Sequence, residues 1–260
     1  CGIQKKVSAR GVGSEERGFD SIETFRDRLC ELFQKDGRDG GGERSVRAQK
    51  EAECAIAAAR QAEILTEHSD TWREFLRTPK RGEGFVCGTE HGVDYDPDSQ
   101  LVVKITKPPG FGLFPRVVSV PRYKGGEVGW KREPSVEFVA ATPIEYLERW
   151  IRANEVFDDD TRLVSVVRWR DGQVSFCIVQ PHYDGEAATE RQIESSFIEG
   201  GWTPLRDPRG EHLVYMNYPW NVLAVDALPR NCKYNKDGLQ PFDVILVTPD
   251  DDLDAYFKIY

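Results

Sequence analysis

The sequence predicts an α+β fold, and three patterns support that prediction. Apolar residues recur at three- to four-residue spacing in several stretches, which is typical of amphipathic helices. Two pairs of short, β-branched runs flank turn sequences, which is typical of β-hairpins. The strand-like runs are concentrated in the middle of the chain, with helical patterns before and after them, and together they define the class as α+β.

Residues 1–80 are predicted to form an α-helical extension. Ser21 is a candidate N-cap of a first helix, and four apolar residues follow it at helical spacing: Phe25, Leu29, Leu32 and Phe33. A second, longer helix is expected from about Glu43 to Leu76, because the stretch is rich in Ala, Glu, Gln and Arg. Residues 1–20 are polar and Gly-rich without periodicity, and we expect them to be flexible.

Two hairpins and two helices are predicted for the rest of the chain, followed by two apolar runs. In chain order these are a hairpin of 92–95 and 101–105, a helix from 142 to about 154, a hairpin of 164–169 and 174–179, a helix over 187–199, and the runs 222–225 and 242–247. The helix boundaries have local signals. Thr142 is a candidate N-cap with Pro143 at the first helical position, and Gly200-Gly201 ends the later helix.

The composition excludes some classes of protein. The 260 residues carry a net charge of −9, and 39% of them are hydrophobic. An acidic chain of this kind is unsuited to an extended nucleic-acid surface, which needs clustered Lys and Arg. No apolar run approaches the roughly 20 residues of a membrane span.

The cysteines and histidines are too scattered for a zinc site or a disulfide framework. The six cysteines form no C-x-x-C pair, and the four histidines form no H-x-x-x-H pair. Free thiols indicate a reducing compartment, so we expect a cytoplasmic protein.

Four residues form a constellation that suits phosphoryl transfer. Lys104 lies within a β-branched strand, Asp226 and Asn231 follow an apolar run in the pattern D-x-x-x-x-N, and Asp243 is embedded in the next apolar run. In that chemistry a lysine neutralises nucleotide phosphates, the first aspartate orients and deprotonates an acceptor hydroxyl, and the asparagine and second aspartate hold Mg²⁺. The sequence therefore predicts ATP and Mg²⁺ as cofactors.

Six further residues are candidates around this constellation. Glu145 is the preferred partner to clamp Lys104, with Glu148 as the alternative on the same helix. A glycine-rich turn containing Gly84 and Gly88 precedes the lysine strand and is a candidate phosphate loop. The stretch 180–185 is a candidate hinge, whose Gln180 and His182 would offer backbone groups to an adenine edge.

The stretch from Gly88 to Pro249 resembles the kinase-like domain of bacterial and phage polyvalent proteins. The stretches that carry the resemblance are GTEHGV, VVKIT, ATPIEYLERWIRANEVFDDD, IVQPHYDG, DALPRN and PFDVILVTP. The resemblance implies a protein-kinase-like bilobal fold over 81–260, with an N-lobe of about 81–179 and a small C-lobe of about 186–260. It also implies Lys104 as the phosphate lysine, Asp226 as the catalytic aspartate, and Asn231 with Asp243 as metal ligands.

The acceptor and the activity stay open. The acceptor hydroxyl can belong to a protein or a small molecule. Ala224-Val225 precede Asp226 where ordinary protein kinases have His-Arg, and we expect the 17 residues after Asp243 to be too few for a large substrate-binding lobe. The alternatives are therefore a pseudokinase-like, nucleotide-binding interaction module and a nucleotidyl (AMP) transferase on the same fold.

Overall fold

The computed structural model describes residues 21–35, 43–77, 86–123, 129–210 and 212–259. Its helices are α1 (Ile22–Lys35), α2 (Arg44–Gln61), α3 (Trp72–Arg77), α4 (Pro143–Phe157), α5 (Glu190–Glu199) and α6 (Asp251–Phe257). Its strands are β1 (Leu65–Glu67), β2 (Val86–Cys87), β3 (His91–Asp96), β4 (Leu101–Thr106), β5 (Leu113–Tyr123), β6 (Trp130–Ala140), β7 (Arg162–Arg168), β8 (Val174–Pro181), β9 (Glu186–Ala187), β10 (Thr203–Leu205), β11 (Val214–Asn217), β12 (Val222–Val225), β13 (Cys232–Asn235), β14 (Gly238–Pro241) and β15 (Ile245–Val247). The predicted α+β class is confirmed. The expectation of flexibility for 1–20 falls outside the described residues.

The chain divides into two compact units. Unit 1 comprises the described residues up to Gly112 together with Ala140–His182, and unit 2 comprises Leu113–Val139 together with Tyr183 onwards. One boundary falls inside the stretch 180–185, which the sequence analysis treats as a hinge. The other two boundaries lie after Gly112 and after Val139, and they place most of the β5–β6 hairpin in unit 2. The predicted N-lobe of about 81–179 instead contains both this hairpin and Lys104. None of the helices in the described ranges is long and apolar enough to cross a membrane.

Unit 1 is built on a six-stranded sheet in the order β1-β7-β8-β4-β3-β2. Both predicted hairpins are present as antiparallel pairs, β3–β4 and β7–β8. One face of the sheet presents Phe176, whose ring contacts Phe25 of α1 and Tyr146 of α4. The other face presents Ile105 and Cys177, which pack with Phe75 of α3. Helices thus cover both faces of this sheet and exclude water from its centre.

The predicted helix from Glu43 to Leu76 is wrong over residues 62–71, which separate α2 from α3. Helix α2 ends at Gln61, and Glu63 adopts a left-handed backbone conformation with φ of 58°. Leu65–Glu67 then pairs in parallel with β7 as strand β1. The reason is long-range pairing, because the carbonyl of Ile64 accepts hydrogen bonds from the Val166 amide and the Ser165 hydroxyl. The N-terminal segment is therefore an integral part of unit 1.

Helix α2 also caps the start of α4. The predicted N-cap Thr142 accepts from the amide of Glu145, whose carboxylate accepts in return from the Thr142 amide. Glu51 of α2 is fully buried and accepts a hydrogen bond of 3.0 Å from the Ile144 amide. Arg47 donates to the other oxygen of Glu51 at 2.7 Å. The first turn of α4 thus receives two carboxylates, which suit its unpaired N–H groups and its dipole.

Unit 2 contains three small sheets. Their strand orders are β10-β11-β12-β15, β14-β13-β9 and the two-stranded β5–β6. Its core combines strands β11, β12 and β15 with α6 and the base of the β5–β6 hairpin, and the largest buried members are Met216, Leu223, Ile245, Tyr256 and Phe257. The core holds β12 and β15 side by side, which fixes the chain segments that leave their ends.

The buried cap supplied by Glu51 predicts a specific loss of stability. We expect Glu51→Ala to lower the free energy of unfolding by about 1–3 kcal/mol, because it leaves a buried helix N–H without an acceptor. Glu53→Ala is the matched control, since Glu53 lies on the same helix but is exposed. It should change stability by less than about 0.5 kcal/mol in the same urea titration. Equal losses in both variants would contradict the capping role.

Candidate functional site

Asp226 and Asn231 lie in direct contact in unit 2. Asp226 follows the fully buried strand β12 and has a left-handed backbone with φ of 63°. Its carbonyl accepts from the Leu228 amide at 2.8 Å, and a 3-10 turn over Pro229–Asn231 follows. This tight path brings the Asn231 side chain back, and its Nδ2 donates to both the carbonyl and Oδ2 of Asp226 at 2.8 Å each.

The side chain of Asn231 has one oxygen to spare. Both Asp226 groups that it meets are acceptors, so Nδ2 must face them and Oδ1 must point the other way. Asn231 is 7% exposed, and within the described ranges its Oδ1 accepts no hydrogen bond. The amide thus presents a hard oxygen in a fixed orientation.

Asp243 is carried towards Asn231 by the β13–β14 hairpin. The hairpin pairs Cys232 with Pro241, and the next amide, that of Phe242, donates to the Asn231 carbonyl at 3.0 Å. Of the apolar run over 242–247, only Ile245–Val247 forms a strand, β15, and residues 242–244 connect it to the hairpin. Asp243 lies in this connection, half-buried, rather than inside a strand.

Arg230 is a site residue that the sequence analysis missed. Its Nη2 donates to both carboxylate oxygens of Asp226, at 2.6 and 2.9 Å. The guanidinium side chain is 67% exposed, whereas that of Asp226 is 14% exposed. The signal was present in the sequence as an acid and a base four residues apart in Asp-Ala-Leu-Pro-Arg. The ion pair covers part of the Asp226 carboxylate from the solvent side.

Cys232 follows Asn231 directly in the chain and begins strand β13. Its side chain is fully buried, and burial raises the pKa of the thiol to about 12, with the charge of Asp226 adding to the shift. The neighbouring strand pairing keeps it in the β13–β14 hairpin. A thiol with such a pKa is protonated at neutral pH and serves as an apolar packing group.

Lys104 is buried in the middle of the unit 1 sheet. Strand β4 lies between β3 and β8, and Lys104 pairs in register with Val93 and Ile178. Its side chain is only 4% exposed, and Nζ lies 4.8 Å from the ring centroid of Trp150 on α4. A cation–π contact of this length holds the ammonium group against the helix.

The structure does not bring Glu145 to Lys104. The carboxylate of Glu145 ends the capping box at Thr142 and pairs with Arg44, and Lys104 is not among its partners in the described ranges. The reason is its position in the first turn, where the side chain reaches back to unpaired amides. The alternative, Glu148, is half-exposed and contacts Arg26 at 3.4 Å.

The glycine turn is described only in part. Gly84 lies outside the described residues. Gly88 connects β2 to β3, and its amide donates to the His91 carbonyl at 3.0 Å. Its own carbonyl accepts from Nζ of Lys107. The peptide groups on both sides of Gly88 are therefore engaged within unit 1.

The candidate hinge residues are held by internal hydrogen bonds. Gln180 is 1% exposed, and its Nε2 donates to Oδ2 of Asp159 at 2.8 Å. The amide of His182 donates to the Gln100 carbonyl at 3.0 Å, and its ring lies 4.4 Å from that of Tyr95. Asp159 is itself 2% exposed, and it fixes the end of β8 through this hydrogen bond.

Comparison with known proteins gives no match, whether to a family model, a curated protein or a solved structure. Within the described ranges, no three His, Cys, Asp or Glu side chains are grouped so that they could hold a metal ion. Unit 2 instead offers the side-chain oxygen of Asn231 together with the carboxylate of Asp243, whose segment is hydrogen-bonded to the Asn231 backbone through Phe242.

The burial of the two core cysteines predicts their reactivity. Cys177 and Cys232 both have a pKa raised to about 12 by burial, so about one thiol in ten thousand is ionised at pH 8. We expect iodoacetamide at pH 8 to leave both unmodified in the native protein and to alkylate both in urea, as read by peptide mass spectrometry. Alkylation of native Cys232 at the rate of a free thiol would contradict its burial in unit 2.

Proposed function

We propose that this chain is an ATP- and Mg²⁺-dependent phosphotransferase that acts on a hydroxyl acceptor. The observation that carries the proposal is the pair Asp226–Asn231, in which the amide is locked so that its oxygen stays available. Such a pair provides a carboxylate that can accept a hydroxyl proton and an amide oxygen that can bind a metal ion.

Magnesium suits the donors in this cluster. The ion prefers oxygen ligands, is held in many enzymes by one or two protein side chains, and takes its remaining ligands from water and phosphates. Asn231 supplies an unbonded amide oxygen, and Asp243 supplies a carboxylate in the segment whose Phe242 amide is bonded to Asn231. We assign these two residues as the metal ligands. Bound Mg²⁺ would offset charge on the β- and γ-phosphates of ATP.

Asp226 is the proposed proton acceptor. The acceptor hydroxyl oxygen forms a bond to the γ-phosphorus, the bond from that phosphorus to the β,γ-bridging oxygen breaks, and ADP leaves. The hydroxyl proton passes to the Asp226 carboxylate. Its left-handed backbone supports this role, because such conformations in non-glycine residues cluster at functional sites.

Lys104 is the proposed phosphate ligand of unit 1. The argument is its environment, since an interior strand fixes the backbone and the Trp150 ring fixes the ammonium end. A cation held in advance stabilises developing negative charge without a reorganisation cost during the reaction. A lysine on an exposed edge strand would not have this property.

Two aspartates should separate nucleotide binding from transfer. We expect Asp226→Asn to lower turnover by about a hundredfold or more while Mg²⁺-dependent ATP binding persists. Asp243→Ala should abolish both turnover and ATP binding. Asp237→Ala is the control, because Asp237 is exposed in the turn of the β13–β14 hairpin, and it should leave turnover and ATP binding intact. ATP labelled at the α- or γ-phosphate, offered with protein and small-molecule hydroxyl acceptors, measures turnover and distinguishes phosphoryl from AMP transfer. Wild-type rates in both site variants would overturn the proposal.

The Arg230–Asp226 ion pair favours a second candidate function, a nucleotide-binding module without turnover. A carboxylate that is bonded through both oxygens is less available as a base than an open one. The two candidates predict different behaviour for Arg230→Ala. In a phosphotransferase the change should maintain or raise turnover, because it uncovers the base. In a binding module, turnover stays absent in both the wild type and the variant while Mg²⁺-dependent ATP binding persists.

A further inference from the structure

The distal half of the β5–β6 hairpin carries a pair of exposed aromatic rings. Trp130 is 71% exposed and Tyr123 is 61% exposed, the two highest values among the large apolar side chains of the described ranges. Their ring centroids lie 5.6 Å apart with an interplanar angle of 56°. Exposing two large rings side by side forgoes burial free energy, which is typical of a binding surface.

The base of the same hairpin is anchored in unit 2. Val117 and Phe138 pack against the core cluster, and Val136 is a buried member of it. Six residues of extended strand separate Val117 from Tyr123, which is about 20 Å. The strands therefore hold the aromatic pair well away from the unit 2 core, in which the base of the hairpin is packed.

Basic side chains accompany the rings. Residues 113–140 contain five Lys or Arg and three Glu, a net charge of +2 in a chain whose net charge is −9. Lys131 and Arg132 are exposed. Arg132 donates across the hairpin to the hydroxyl and the carbonyl of Ser119, at 3.2 and 2.5 Å. Because strand side chains alternate, Arg132 shares a face with Trp130 and so with Tyr123.

We propose that this aromatic finger, defined by Tyr123, Trp130, Lys131 and Arg132, binds single-stranded nucleic acid. Unpaired bases stack on exposed aromatic rings and on guanidinium planes, and the phosphates pair with the cations. The ring pair and Arg132 form such a row on one face, and Lys131 adds a second cation on the opposite face of the same strand. The contact is short, in keeping with a chain whose net charge is −9. It is independent of the proposed phosphotransferase activity.

The neighbouring sequence disfavours a lipid surface as the partner. The residues between Tyr123 and Trp130 read Lys-Gly-Gly-Glu-Val-Gly and include one large apolar side chain. Two of these six residues are charged, and burying charges at a bilayer carries a cost in desolvation. Stacking on a base requires only that the ring faces be open, and the exposure of Trp130 meets that requirement.

The test uses the full chain and a fluorescein-labelled dT12 oligonucleotide, read by anisotropy at 50 and 200 mM NaCl. We expect saturable binding that weakens about sevenfold over this range, the value for two phosphate contacts with a single strand. Trp130→Ala should weaken binding at least about fivefold, the loss of one stacked base. The matched control is Trp220→Ala, because Trp220 is 51% exposed on a turn of unit 2 without charged residues.

Three outcomes would overturn the proposal. The first is no binding of dT12 at 50 mM NaCl, and the second is equal affinity of the Trp130→Ala variant and the wild type. The third is binding to vesicles of 30% phosphatidylserine that Trp130→Ala abolishes, with no oligonucleotide binding. Circular dichroism melts check that the Trp130→Ala and Trp220→Ala variants fold. We expect both to do so, because both tryptophan side chains are exposed.

Discussion

The proposed site depends on the orientation of one side-chain amide, that of Asn231. Its two partners on Asp226 are both acceptors, so the nitrogen is committed to them and the oxygen must face away. The backbone of the same residue accepts from Phe242 and so fixes the segment of Asp243. A single asparagine thus links the proposed base to the proposed second metal ligand. Replacement by a larger or charged group would disturb both links at once.

A second constraint acts in unit 1, where buried polar groups determine the position of α4. Glu51 reaches the first turn from α2, and the Thr142–Glu145 capping box completes it. The same helix presents Trp150 to the ammonium group of Lys104. The N-terminal helices therefore contribute to the surroundings of Lys104, and are not simply attached to a finished domain.

Local signals in the sequence predicted much of this structure, and long-range interactions account for the rest. The cap at Thr142, both unit 1 hairpins and the approach of Asn231 to Asp226 follow from spacing over a few residues. Strand β1 could not be predicted, because three residues become a strand only when β7 lies beside them. Glu145 was assigned to Lys104 from its place in the chain order, and the nearer amides of its own helix turn compete more strongly. Arg230 was overlooked although its spacing from Asp226 was visible.

The most direct test of the account is diffraction from crystals soaked with Mn²⁺ and a non-hydrolysable ATP analogue. Manganese replaces Mg²⁺ at oxygen sites and gives an anomalous signal. The account predicts one metal peak at about 2.1 Å from Oδ1 of Asn231 and from a carboxylate oxygen of Asp243, with the triphosphate as a further ligand. A nucleotide bound elsewhere, or a metal that leaves Asn231 uncoordinated, would contradict it.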